Sequence, residues 1–454
     1  MTATIGRLFV ANALPMMVMM LMSGMLAVVD AAFLGHFVGP DALAAVSLVF
    51  PVLMITIALS TLVSGGMSSL LARQLGAEQY TDAMAVFAQA HGLALFLSML
   101  LIAAFGTFAG YVVGQLSGGQ ADIAHMAYTY LAIMILASPL QLLLGVHADA
   151  WRNEGHVGLI ALMSAGVTLA NIALNYVMIV PLEMGVAGSA LGTAIAQGTG
   201  LALLAGLRWH GAGILRMSGL WKSRWIGAWR PILTLGAPVS LSFIGIALVS
   251  ATVITTLRLT AGSGYVDSVA AYGIVTRILS FTFLPLMAIA MATQTIVGHN
   301  VGAKLYRRSD AALQLALVVA FLYCALVEAT LLIGHTWIGG GFVTSPQVIG
   351  EVGRILSPML SLYLFTGPVL VLALYFQAIG RPGRTAALTL IKPFALSPVL
   401  LAALGFFIGA KAIWFAFPIA DGIIVATALG VVIATQRHGD PGIGLGLSLG
   451  EQTP

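Results

Sequence analysis

Polar residues and Gly/Pro breaks divide the chain into about twelve apolar segments, each near the roughly 20 residues that carry an α-helix across a bilayer. Their predicted cores are Leu14–His36, Ala44–Leu71, Ala88–Gln115, Tyr128–Ala148, Val157–Pro181 and Gly185–Leu207. After a more polar stretch come Ile232–Leu257, Val269–Val297, Ala311–Trp337, Gly353–Ala378, Ala386–Phe407 and Lys411–Ala434. Strand-type alternation is missing, which argues against a β-barrel. The pattern predicts an all-α membrane protein of about twelve transmembrane helices.

Composition agrees. The chain is 60% hydrophobic and 7% charged, with a mean hydropathy of +1.03; soluble domains carry about 25% charged residues. The net charge of +4 does not imply a nucleic-acid partner, because the cations fall between spans. A single cysteine, Cys324, excludes a disulfide framework within the chain and a CxxC metal site. The first apolar run is too long for a signal-peptide core and lacks a small-residue cleavage site, so it reads as a retained span.

Loop cations set the orientation. With the N-terminus cytoplasmic, Arg7, Arg73, Arg152, Lys304, Arg307, Arg308, Arg381, Arg384 and Arg437 lie inside, as does the cluster Arg208–Arg230. Only Arg258, Arg354 and Lys411 then lie outside. Both termini are placed in the cytoplasm, in a bacterial inner membrane. The Arg208–Arg230 stretch, with Trp209, Trp221, Trp225 and Trp229, reads as a linker on the membrane interface with lipid headgroups as partners. The expected organisation is an N-lobe over 1–207, a linker over 208–231, a C-lobe over 232–436 and a cytoplasmic tail over 437–454.

The two halves resemble each other. ARQLGAEQY at Ala72–Tyr80 matches GHNVGAKLY at Gly298–Tyr306, and DALAAVSLV at Asp41–Val49 matches DSVAAYGIV at Asp267–Val275. WRNEGHVG at Trp151–Gly158 parallels FQAIGRPG at Phe376–Gly383, and Gly185–Gly198 lines up with Gly409–Gly422. Matches in one order, offset by about half the chain, indicate a duplication. About six spans per half make the repeats parallel, two six-helix lobes related by a pseudo-two-fold axis along the membrane normal. That is a transporter plan.

Asp30 is the residue around which the rest is organised. A carboxylate in a spanning helix costs about 2.5 kcal/mol or more near the centre and faces protein or water. An acid withdrawn from water also holds its proton more readily. Pro15, upstream on the same helix, removes a backbone N–H and supplies a place to bend. Asn171 and Asn175 share a helix face, and Thr193 with Gln197 follow on the next span, among small residues that allow close helix approach. Such amides and hydroxyls either surround a proton- or Na⁺-binding carboxylate or make ordinary interhelical hydrogen bonds. For Thr193 and Gln197 taken alone, the bonds are the better reading. In the second half Lys392 and Asp421 lie at similar depth and are expected to pair, in a structural role. Glu328 has no evident partner and is a candidate for ion or cation binding. Asp149, Arg152 and Glu154 cluster at a cytoplasmic helix end, as gate or loop contacts.

HExxH, a Walker A loop and a paired-aspartate Mg²⁺ site are all missing, so no cofactor is expected and a secondary, ion-driven transporter fits better than an enzyme. The chain from Pro15 to Gly422 resembles the multidrug and toxic compound extrusion family. The resemblance rests on VVDAAFLGHFVGPDALAAVSLVFPV, ARQLGAE, WRNEG and QAIGRPG. It implies two six-helix lobes around a V-shaped cavity and antiport of lipophilic, often cationic small molecules against H⁺ or Na⁺. The pattern is most similar to the branch of the DNA-damage-inducible F proteins, where the first-span carboxylate is the coupling site. Asp30 occupies that position, Pro15 the hinge, and Asn171, Asn175 and Thr193 the surrounding cluster. Many members carry Asp where this chain has Asn175, and the departure favours H⁺ over Na⁺. A monomer is expected. The alternative is a flippase for a lipid or lipid-linked precursor, which would want more cavity cations than Arg277 and Lys392.

Overall fold

The computed structural model describes residues 4–117, 120–227, 229–342 and 345–437, and every regular element among them is helical. The first half contains α1 (Ile5–Phe33), α2 (Pro40–Gly76), α3 (Tyr80–Leu116), α4 (Ala121–Leu136), α5 (Ser138–Asn153), α6 (Val157–Ile179), α7 (Gly185–Trp209) and the short α8 (Met217–Lys222). The second contains α9 (Trp229–Thr260), α10 (Tyr265–Gly302), α11 (Tyr306–Phe342), α12 (Pro346–Leu360), α13 (Thr366–Ala378), α14 (Pro382–Ile391), α15 (Ser397–Phe407) and α16 (Ala416–Arg437). Ten helical stretches are long and apolar enough to cross a bilayer, and two bent pairs, each taken as one span, bring the number to 12. The chain is a multi-pass membrane protein.

Two of the spans expected from hydropathy are bent pairs. Over Tyr128–Ala148 the chain is α4 followed by α5, bent by 45°, with Pro139 in the first turn of α5. Over Gly353–Ala378 it is α12 and α13, bent by 48°, with Pro358 in the last turn of α12. Proline deletes a helical N–H and crowds the preceding turn, an effect that hydropathy does not register. α12 is also amphipathic: Val348, Val352, Ile355 and Leu356 are buried, while Glu351 and Arg354 pair at 2.8 Å on the other face.

Local geometry bears the duplication out turn by turn. After α2, Ala77, Glu78 and Gln79 donate their N–H groups to the carbonyls of Arg73, Leu75 and Gln74; after α10, Ala303, Lys304 and Leu305 do the same to His299, Val301 and Asn300. Glu78 and Lys304 both have φ of 59°. Gly155 and Gly380 repeat the arrangement after α5 and α13, with φ of 88° and 80°. The left-handed position strains a side-chain-bearing residue by about 1 kcal/mol, and glycine relieves it. Glu78→Gly is therefore expected to raise stability by up to about 1 kcal/mol, read as a higher unfolding temperature in detergent; an unchanged or lower one would contradict the strain argument.

The chain divides into two compact units, Val18–Phe243 on one side and Met1–Met17 with Ile244–Pro454 on the other. These bounds differ from a split at a linker over 208–231, and residues 438–454 of the expected tail lie outside the described residues. The cuts fall inside α1 and α9, shortly past Pro15 and Pro238. The start of α9 belongs with the first unit because it packs on α2 backbone to backbone. A Cβ on Gly66 would stand 2.1 Å from the Ile232 carbonyl oxygen, and one on Gly236 1.9 Å from that of Leu62. Ser240 adds a hydrogen bond to the Ala58 carbonyl at 2.7 Å. Lipid tails are as apolar as leucine, so close contact between small residues holds such helices together better than apolar burial does. The core of this unit joins Met67, Leu71, Phe87, Leu93, Leu142 and Val146 to Leu215, Leu220 and Ile232.

The linker is correspondingly less superficial than its composition implies. Arg208 ends α7 rather than opening an interfacial segment, and it is fully buried. Its guanidinium donates to Glu154 at 2.6 Å and to the Leu215 carbonyl at 2.8 Å, and lies over the rings of Phe87 and Trp151. Trp209 and Trp221 remain exposed, as an interfacial segment requires. A buried cation needs a countercharge, and Glu154 supplies it.

Candidate functional site

Asp30 lies near the end of α1, and the π-turn Leu34–Val38 carries the helical path on past it. The helical path thus continues past the carboxylate within the candidate span Ile5–Val38. It is half-buried. Facing it is α6, where the four-residue spacing of Asn171 and Asn175 puts both amides on one side; both residues are buried. Behind α6 runs α7, brought close by glycines: a Cβ on Gly188 would meet Met178 at 3.0 Å, and one on Gly192 would meet Asn175 Oδ1 at 2.1 Å.

The hydrogen bonds form one directed chain. Thr193 Oγ1 donates to the Ser189 carbonyl at 3.1 Å, and Asn171 Nδ2 donates to Thr193 Oγ1 at 2.9 Å. Asn175 Nδ2 then donates both to Asn171 Oδ1, at 3.0 Å, and to Asp30 Oδ1, at 2.7 Å. Both amide hydrogens of Asn175 are thereby used, and its Oδ1, pressed against Gly192, has no partner among the described residues. Asp30 ends the chain as an acceptor. A donor aimed at a carboxylate supports its charged form and opposes protonation, whereas withdrawal from water does the reverse.

Other candidates are placed as follows. Gln197 lies a turn beyond Thr193, and its Oε1 is buried without a partner among the described residues. Pro15 is inside α1. Glu328 does have a partner: its Oε2 accepts the Leu364 N–H at 2.8 Å, in the bend between α12 and α13. That N–H is a helix-start donor which sequence spacing does not reveal. Lys392 and Asp421 form a salt bridge, the lysine opening the π-turn Lys392–Leu396. Arg152 pairs with Asp149 at 2.9 Å and donates to Ser68 at 2.8 Å. Tyr130, buried on α4, stands within electrostatic reach of Asp30. Nothing in YTYLAIM marks it out, since a tyrosine in an apolar run is usually core. No cluster of three or more His, Cys, Asp or Glu with metal-site geometry occurs among the described residues.

A duplicated helical membrane protein with a hydrogen-bonded acid on its first long helix has the plan of a membrane transporter. The MatE family profile matches residues 15–177 and 238–402, one copy in each half. The chain belongs to this family, the multidrug and toxic compound extrusion transporters. It is 24% identical over 428 residues to an FAD transporter of Shewanella oneidensis, covering 93% of each chain. It is equally, 24%, identical over 426 residues to the multidrug export protein MepA of Staphylococcus saprophyticus, covering 92% of each. Among solved structures, a MOP superfamily transporter from Pyrococcus furiosus superposes with a TM-score of 0.86 at 22% identity, over 96% of both chains. An outward-facing multidrug resistance MATE family transporter gives 0.84 at 20%, over 95% of this chain and 96% of that one. These two likenesses establish the fold.

Proposed function

We propose that the protein exports lipophilic, often cationic compounds in exchange for protons, with Asp30 as the coupling carboxyl. The observation that carries this reading is the 2.7 Å bond from Asn175 to Asp30. Charged Asp30 accepts it as a charge-assisted bond; with the proton on its other oxygen Asp30 still accepts through its carbonyl, but the bond falls to that of a neutral pair. A hydrogen bond to a charged group contributes about 1.5–3 kcal/mol and a neutral one about 0.5–1.5, so protonation loosens α1 from α6 by about 1 kcal/mol, a bias on a two-state transporter. The loosened helix bends near Pro15 and the drug leaves outward; deprotonation towards the cytoplasm restores the bond. Asn171 and Thr193 hold Asn175 in its donating orientation. The neutral Asn175, in place of a second acid, favours H⁺ over Na⁺, because a monovalent metal ion would find one charge instead of two. MepA, a multidrug export protein, supports the substrate class, and the cluster fits the inducible-F branch.

The pair formed by Lys392 and Asp421 neutralises the one lysine that a phosphate-bearing lipid would need. This weighs against the flippase alternative.

The test is ethidium transport in proteoliposomes under ΔpH or ΔNa⁺ imposed separately. Movement driven by ΔpH alone is expected. Movement under ΔNa⁺ alone would overturn the proton assignment, and none under either gradient, with flipping of a labelled lipid, would replace drug export by lipid flipping.

A further inference from the structure

Between the ends of α7 and α9, residues 210–227 form a strap on the first unit. One side of it is fixed to the bundle. Leu215 and Leu220 are buried in the core that holds Phe87 and Val146, and the Trp225 indole N–H is given to the Leu220 carbonyl at 2.9 Å. The contacts with α3 follow one another in order. A Cβ on Gly219 would stand 2.8 Å from Met84 Sδ, and one on Gly92 would stand 2.1 Å from the Trp225 carbonyl oxygen. At the start of α9 the Trp229 ring lies 5.3 Å from that of Phe96. The strap thus runs down α3 from Met84 to Phe96, about 18 Å along the helix axis.

The depth of this run decides what surrounds its other side. α3 has 37 residues, about 55 Å, against about 40–45 Å for a bilayer with its headgroups. A helix centred there leaves its first turn or so outside, so the stretch from Met84 to Phe96 crosses the headgroup layer and enters the top of the hydrocarbon. On the outward side Trp221 and Ile226 are each 76% exposed, and Lys222, Arg224 and Arg230 are exposed with them. Tryptophan belongs at headgroup level, and long basic side chains reach from apolar surroundings to that level. The charge is of one sign. No acid occurs between Glu183 and Asp267, Glu154 is engaged with Arg208, and the one acid of α3, Asp82, is in its first turn, above the run.

We infer that the outward side of the strap is a docking surface for anionic phospholipid headgroups. Lys222, Arg224 and Arg230 pair with the phosphates, while Trp221 and Ile226 seat among the tops of the acyl chains. A zwitterionic headgroup brings a cation of its own, so the uncompensated positive charge selects lipids of net negative charge. The surface does not depend on the coupling role of Asp30.

The test uses the full chain in nanodiscs of phosphatidylcholine with a minor fraction of phosphatidylglycerol. One lipid or the other is brominated near the top of its acyl chains, so that it quenches adjacent tryptophan. Subtracting the same measurement on Trp221→Phe isolates the Trp221 signal. That signal is expected to report phosphatidylglycerol enriched about fivefold over its mole fraction, the equivalent of about 1 kcal/mol for one basic residue at an anionic surface. Enrichment should fall with added salt, which tests the charge without a substitution. The triple variant Lys222→Gln, Arg224→Gln, Arg230→Gln should bring it to parity while brominated phosphatidylcholine still quenches Trp221. Size-exclusion profiles and unfolding temperatures establish that the variants are folded. Parity in wild type, or enrichment that survives in the folded triple variant, would overturn the proposal. So would a Trp221 that neither lipid quenches, which marks a surface facing water or a protein partner. Enrichment abolished by inorganic phosphate at constant ionic strength would overturn it too, by marking a site for free phosphate.

Discussion

Asp30→Asn is expected to abolish ΔpH-driven drug transport, at least tenfold below wild type in the proteoliposome assay, while leaving the fold intact. The asparagine carbonyl still accepts from Asn175, so the hydrogen-bond chain through Asn171 and Thr193 survives. What is lost is the ability to switch between a charged and a neutral acceptor. Unfolding temperatures should barely move, since exchanging one acceptor for another alters stability by about 1 kcal/mol or less. Asp30→Ala separates coupling from stability: it leaves a buried Asn175 N–H unpaired, which costs a further 1–3 kcal/mol or so. Undiminished ΔpH-driven transport in Asp30→Asn would eliminate Asp30 as the coupling group.

The second large effect is expected from a residue with no functional group. Gly192→Ala places a Cβ 2.1 Å from Asn175 Oδ1 and 3.2 Å from its backbone nitrogen. The first contact forces a shift and the second requires the neighbour to give by a few tenths of an ångström, so the Asn175 side chain must turn, weakening its bonds to both Asp30 and Asn171. Overpacking of this kind destabilises by about 1–3 kcal/mol, and transport should fall roughly as far as in Asp30→Asn if the Asn175 bond carries the coupling. Gly198→Ala on the same helix is the control. There the added Cβ has its nearest neighbour, Leu140 Cδ1, at an ordinary 3.5 Å, and helix propensity favours alanine by about 0.5–1 kcal/mol. Full transport in folded Gly192→Ala would show that the orientation of Asn175 is immaterial.

The sequence by itself determined the class. Span count follows from length and hydropathy because a bilayer admits few solutions for the backbone. The duplication follows from matched segments, and those segments prove to share their left-handed turns at Glu78 with Lys304 and at Gly155 with Gly380. Asp30 was legible as a special residue because a charge in a span is too costly to be idle, and the common depth of Lys392 and Asp421 pointed to the pair they form. Which donor meets which acceptor was decided only in three dimensions. Asn175, not Asn171, reaches Asp30, because α7 presses Gly192 beneath it and fixes the direction of its amide. The partner of Glu328 is a backbone N–H freed by a bend, the bends at Ala137 and near Pro358 are breaks that hydropathy cannot detect, and Arg208 is drawn inside by Glu154 across a long sequence separation. Hydropathy records how each residue meets the bilayer, whereas the direction of a hydrogen bond depends on which side chains the packed helices bring within 3 Å or so of one another.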